Sequence, residues 1–259
     1  MHDNSTASGT DSITLESVPQ HTVLKSIALH LLPAVPIMAF YMLAAPSVIR
    51  AGYPPVLALI IGFPLIGIPI ELGSLLYLGR KLNGTYSLRG IVLLRDRMPI
   101  WQYALLFVLL LAFAFGVLFF ISPYTQYLAE NVFWWMPKYL LPDGSSPLPV
   151  FAPAAILFTL ILGLIFDGIV NPIVEELYFR GYLLPRIARF GLLAPLMSAF
   201  LFSLQHYWQP FNFPLIFIIQ VAIVYVVWWK RNIYISMLAH CAGNLIGATL
   251  SIIGFYSST

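Results

Sequence analysis

The chain has 259 residues, 60% hydrophobic, 15% aromatic and only 9% charged, with a mean hydropathy of +0.87. A soluble domain carries roughly 25% charged residues, so a water-solvated globular protein is excluded and lipid is the expected solvent. The net charge of +3 is too small to argue for nucleic acid, and the single cysteine, Cys241, excludes an internal disulfide and a multi-cysteine metal site.

Residues 1–22, rich in Ser, Thr and Asp, are expected to form a disordered polar tail. Apolar runs long enough to approach the ~30 Å of a hydrocarbon core follow at 23–45, 56–79, 103–121, 151–170, 192–204, 213–229 and 233–255. The first is not a signal peptide, because a polar stretch precedes it and no small-residue cleavage site follows.

Short loops rich in Lys and Arg tend to stay cytoplasmic. The loop 80–99 holds Arg80, Lys81, Arg89, Arg95 and Arg97 against Asp96, and Lys230-Arg231 and Arg186/Arg189 mark two more inside turns. The stretch 122–149 has one basic residue, Lys138, and an aromatic group at Phe133, Trp134, Trp135 and Tyr139, as expected of an outer interface. The predicted fold is therefore all-α: a polytopic transmembrane bundle of about seven spans with a cytoplasmic N-terminus, in a plasma or inner membrane. An eighth, re-entrant element is compatible with the pattern. The N-terminal helices and loops occupy 23–149 and a distinct membrane core occupies 150–256.

As one straight helix, 151–190 would be about 60 Å long at 1.5 Å per residue. Asn171-Pro172 is expected to break or kink it, with Asn171 as N-cap and Pro172 as the first residue of a new helix. No internal repeat is visible, so an inverted-repeat transporter has no support from sequence symmetry.

Three patches in this half place ionisable side chains in apolar helices: Glu175, Glu176 and Arg180; Phe202 with His206; and His240 with Asn244. A charge at mid-membrane costs about 2.5–3.5 kcal/mol on insertion scales, so such groups must neutralise one another or do chemistry. Glu176 and Arg180 stand at i,i+4 with the acid first, the favourable order for an ion pair. Glu175 points about 100° away and has no partner on its own helix. Counting about 1.5 Å per residue from the basic turns, Glu175, His206 and His240 all reach the middle of the bilayer, with Asn244 one turn beyond His240.

Such a group suits amide hydrolysis. Glu175, with His206 beside it, would take a proton from water, while His240 and Asn244 would donate to the developing oxyanion. Alternatively Glu175, His206 and His240 would bind Zn²⁺ with water at the open position. No His-Glu-x-x-His signature is present, and a metal-free water activation is favoured.

These residues resemble the CPBP family of intramembrane endopeptidases, which includes type II CAAX prenyl proteases and bacteriocin-processing or self-immunity (Abi) proteins. The family pattern of Glu-Glu-x-x-x-Arg, Phe-x-x-x-His and His-x-x-x-Asn is met by Glu175, Glu176 and Arg180, by Phe202 and His206, and by His240 and Asn244, over about residues 151–255. The resemblance implies peptide-bond cleavage in a helical membrane core, on a membrane-associated and in some members prenylated protein substrate. It implies that Glu175 activates water and that His240 and Asn244 hold the oxyanion. Family members are described both as metalloproteases and as metal-independent glutamate peptidases.

The remaining polar residues have plainer readings. Asp167 either lines the cavity above Glu175 or caps a kink, Glu71 would pair with an Arg of the core, and Tyr178 and Tyr182 pack. Cys241 faces away from His240. Two other function classes compete with the endopeptidase: a non-proteolytic scaffold or immunity protein on the same fold, and an ion-coupled transporter using the buried Glu and His as a relay.

Overall fold

The computed structural model describes residues 15, 18–142 and 151–258, and among these the architecture is helical with no β-strand. Seven helical runs follow one another: α1 (Val23–Arg50), α2 (Val56–Asn83), α3 (Ile100–Asn131), α4 (Pro153–Phe190), α5 (Leu193–Leu204), α6 (Pro210–Lys230) and α7 (Tyr234–Ser258). The first four and α6 are long and apolar enough to cross a membrane. The 25-residue α7 is about 37 Å long, whereas α5, with 12 residues, reaches only about 18 Å. The chain is an integral membrane protein built as a polytopic helical bundle.

Of the break or kink expected at Asn171-Pro172, the break does not occur: α4 runs on from Pro153 to Phe190. Proline would clash with the carbonyl four residues back and lacks a donor for it. The helix avoids the clash by widening just before it. Phe166–Val170 is a π-helical turn, and the Asn171 N–H donates to Phe166 O. Asn171 is therefore an interior residue, not an N-cap, and its Nδ2 donates to Asp167 Oδ1 at 3.2 Å. A second π-helical stretch, Glu176–Leu183, carries Glu176 and Arg180, and the chain leaves through a 3₁₀ stretch, Leu184–Phe190. Wide turns of this kind are rare and concentrate at functional sites.

The three basic turns come together at one end of the bundle. Asp96 N–H donates to Arg231 O at 2.9 Å, and Ile233 N–H to Leu94 O at 2.8 Å. Arg186 Nη1 donates to Ile91 O at 3.2 Å. The N-terminal segment joins the same end. Val18 is buried, Gln20 Nε2 donates to Pro185 O at 3.0 Å, and His21 N–H donates to Arg186 O at 2.7 Å. The expected disordered tail therefore does not extend to residue 22: from Val18 the chain packs on the core, because these backbone groups find partners there. Residues 1–14 lie outside the described residues, as does the expected domain boundary at 149/150. At the opposite end Met136 and Leu140 pack with Tyr41 and Ala45 of α1.

The main core gathers Leu75 of α2, Phe179 and Leu183 of α4, Phe202 of α5, Val224 of α6 and Ile235 of α7. Lipid offers no hydrophobic drive between helices, so close van der Waals fit must hold them. Two glycines show it. A Cβ on Gly181 would lie 2.6 Å from Val92 Cγ1, and one on Gly168 would lie 2.6 Å from Leu245 Cδ2. Gly168 thus lets α7 approach α4 closely beside the site.

Candidate active site

The centre of the site is a buried ion pair. Arg180 Nε lies 3.4 Å from Glu176 Oε2, and both side chains are inaccessible to solvent. Arg180 Nη2 also donates to Gln220 Oε1 of α6, and its Cζ stands 3.9 Å over the ring of Phe202. This explains the phenylalanine in the second patch: a delocalised guanidinium is weakly hydrated and stacks on aromatic faces. Arg180 thereby ties α4, α5 and α6 together. Breaking a buried pair by removing one member strands the other charge and costs about 3–5 kcal/mol.

Glu176 has a second task. Its Oε1 lies 3.0 Å from His240 Nδ1, so the carboxylate accepts the Nδ1–H and fixes the ring's orientation, as carboxylates behind functional histidines do. His240 Nε2 then faces Glu175 Oε2, 3.8 Å away. The imidazole thus sits between two adjacent glutamates of α4 that the helix aims differently. The accessible pair is Glu175 and His240, with side-chain exposures of 10% and 13% against zero for Glu176. One side of the constellation is thus slightly exposed while the other is fully buried.

His206 takes a different place from the one expected. Its Nδ1 lies 2.9 Å from Phe202 O. A carbonyl only accepts, so Nδ1 carries the hydrogen and Nε2 of the neutral ring is an acceptor. Its ring packs edge-on to Phe202 at 5.1 Å and against Trp208 at 5.2 Å. Phe202 also meets the ring of His240, at 6.2 Å, and so touches both histidines. The partner at Glu175 is His240, not His206, because α7 rather than α5 runs alongside this part of α4. Asn244, one turn along α7, donates Nδ2 to Asp167 O at 2.8 Å. Asp167 thus links α4 to α7 through its backbone and bonds Asn171 through its side chain.

Among the described residues no group of three His, Cys, Asp or Glu side chains is arranged to hold a metal ion. The expected Zn²⁺ set Glu175, His206 and His240 is not gathered as such a group. Cys241 Sγ faces Ile169 O at 3.8 Å, away from His240. Tyr178 donates its hydroxyl to Leu29 O at 3.0 Å, joining α4 to α1. Tyr178 and Tyr182 both line an apolar cavity of about 430 Å³ between α1, α2 and α4.

Glu71 of α2 is fully buried and close enough to interact electrostatically with Glu175 and Arg180, yet it makes no ion pair within 4 Å among the described residues. Two contributors escape sequence reading. Gln220 had a signal: it is the one amide in an otherwise apolar run of α6. His30 of α1 had none beyond being polar in an apolar run, and it is buried with its ring 5.6 Å from Phe179.

Fold and site together define a polytopic helical membrane protein with a buried Glu–His–Arg constellation between its C-terminal helices. Residues 157–246 match the family described as Rce1-like, type II CAAX prenyl endopeptidase Rce1-like, which is the family the three motifs resemble. The match covers 90 of the 259 residues, the segment that carries all three motifs. No curated protein and no solved structure matches the chain.

Proposed function

We propose that the protein is an intramembrane endopeptidase that cleaves a peptide bond of a membrane-associated protein, with Glu175 as the general base on water. The observation that carries this reading is the Glu175–His240 pair. It is held from behind by Glu176 and Arg180, and it is the accessible edge of an otherwise dry cluster. A water beside Glu175 gives its proton to the carboxylate while its oxygen adds to the scissile carbonyl carbon. The oxyanion that forms accepts from Nε2–H of a protonated His240 and from the Asn244 N–H not used on Asp167. On collapse the C–N bond breaks, and the proton held by Glu175 passes to the leaving amine. His206, whose Nε2 is an acceptor, orients the incoming chain or a second water.

A substrate anchored by its own lipid or transmembrane segment would reach the site from within the bilayer. The family's description supports a prenylated C-terminal tail.

The test is cleavage of quenched peptides, prenylated and unprenylated, by detergent-purified protein. Wild type is compared with Glu175→Ala, each with and without a strong chelator. Cleavage lost in Glu175→Ala and indifferent to chelator is expected. Cleavage lost to chelator and restored by Zn²⁺ would overturn the general-base assignment, and cleavage retained by Glu175→Ala would overturn the site.

A further inference from the structure

Arg180 Nη1 of α4, Glu71 Oε2 of α2 and His30 Nε2 of α1 are among the polar atoms beside the site that are buried without a hydrogen-bond partner. The side chains they belong to are fully buried. His30 Nδ1 lies 2.7 Å from Ser26 O, so it carries the hydrogen and Nε2 is a lone-pair acceptor. Arg180 Nη1 is thus an unmet donor, and Glu71 Oε2 and His30 Nε2 are unmet acceptors from two other helices. Glu71 and His30 both lie close enough to Arg180 to interact electrostatically. Leaving such groups unpaired costs about 1–3 kcal/mol each, and more when they are charged.

The backbone brings these side chains together. The part of α2 that carries Glu71, Ile68–Asn83, packs on both Asn171–Glu175 and Glu176–Leu183 of α4. Three buried glutamates, Glu71, Glu175 and Glu176, then share the surroundings of a single guanidinium. Arg180 is already held by the ion pair with Glu176, by Gln220 and by the ring of Phe202, and its Nη1 has no hydrogen-bond partner.

We infer that Glu71 is a positioning residue of the active site: it holds the Nη1 side of Arg180, directly or through one water, and through Arg180 fixes Glu176 and His240. With Glu71 in place the guanidinium has a carboxylate on two sides and cannot turn. Without it, Arg180 rotates toward the remaining acidic groups, Glu176 follows, and His240 Nε2 moves relative to Glu175. A displacement of about 1 Å at a reacting group can cost roughly 10²-fold in rate. The sequence pointed to a core Arg as partner of Glu71, and the packing of α2 on α4 selects Arg180.

The kinetic part of the test rests on the endopeptidase reading, and the spectroscopic part does not. Full-length protein labelled with ¹⁵N-histidine is prepared in detergent as wild type, Glu71→Gln and Glu71→Asp. In folded Glu71→Gln the ring-nitrogen resonances of His240 are expected to shift, although residue 71 does not touch residue 240. On a cleaved peptide its kcat falls about 10- to 100-fold with KM within about twofold, and Glu71→Asp recovers part of the loss. Should Glu71→Gln not fold, the His240 resonances of Glu71→Asp, whose carboxylate is set back by one methylene, are read in the same way. Unchanged His240 resonances in a folded variant overturn the inference, as does a kcat that falls only with the folded fraction. If wild type cleaves nothing, the endopeptidase reading fails, and the resonances still decide the role of Glu71.

Discussion

In α4–α7 Glu175, Glu176, Arg180 and His240 form ion pairs with one another, whereas the buried His30 of α1 and Glu71 of α2 make none among the described residues. The difference teaches where a motif comes from. Glu176 and Arg180 are four residues apart on one helix, so their contact is written into local spacing. Glu71 and His30 lie near Arg180 only across helix interfaces, so local spacing does not name the residue they approach. The C-terminal half carries the recognisable chemistry, and the N-terminal half closes the cage around its cation.

The largest expected effect breaks the paired half. Arg180→Met strands Glu176 and removes the guanidinium that joins α4, α5 and α6, so it should cost about 3–5 kcal/mol. Thermal unfolding in detergent checks it, and an unchanged melting temperature would show that the pair does not hold the core. Glu175→Gln, by contrast, removes no ion pair with Arg180 and should leave the melting temperature near wild type. It should lower peptide cleavage by about 10²–10⁴-fold. The two variants together separate the dry side of the cluster from the reactive one.

A smaller effect tests the close approach behind the first motif. Gly181→Ala places a methyl against Val92 Cγ1 of the basic loop, whose β-branched side chain is buried and has little freedom to move. Overpacking should cost about 1–3 kcal/mol, against at most about 1 kcal/mol gained in helix propensity. A small net loss of stability is therefore expected, and Val92→Ala in the same chain should restore it.

The smallest concerns the N-terminal segment outside the membrane helices. Burial first, then the nearby Lys25 and Arg186 charges, push the His21 imidazole from 6.5 down to about 4. Its folded-state value lies below its unfolded one, so docking is fully supported above pH 6.5 and weakens as pH falls from there toward 4. Limited proteolysis around residues 18–25 should therefore be faster at pH 5 than at pH 7.5. His21→Phe, which cannot charge, should remove that difference.

Composition alone determined that the chain lives in lipid and is helical, because apolar runs of this length leave backbone groups no other way to be satisfied in a bilayer. Spacing alone determined that Glu176 faces Arg180 and that Glu175 points elsewhere, because helical geometry fixes directions along one element. The break expected at Pro172 did not occur, since a π turn absorbs the missing donor, a choice that depends on packing and not on the dipeptide. The sequence reading set His206 beside Glu175, whereas the structure sets His240 there. His206 and His240 are equally plausible by depth, and only the docking of α7 along α4, through Gly168, brings His240 forward. The parts that Glu71, His30 and Gln220 play belong wholly to the tertiary structure, because a buried guanidinium with several donors draws its acceptors from whichever helices surround it.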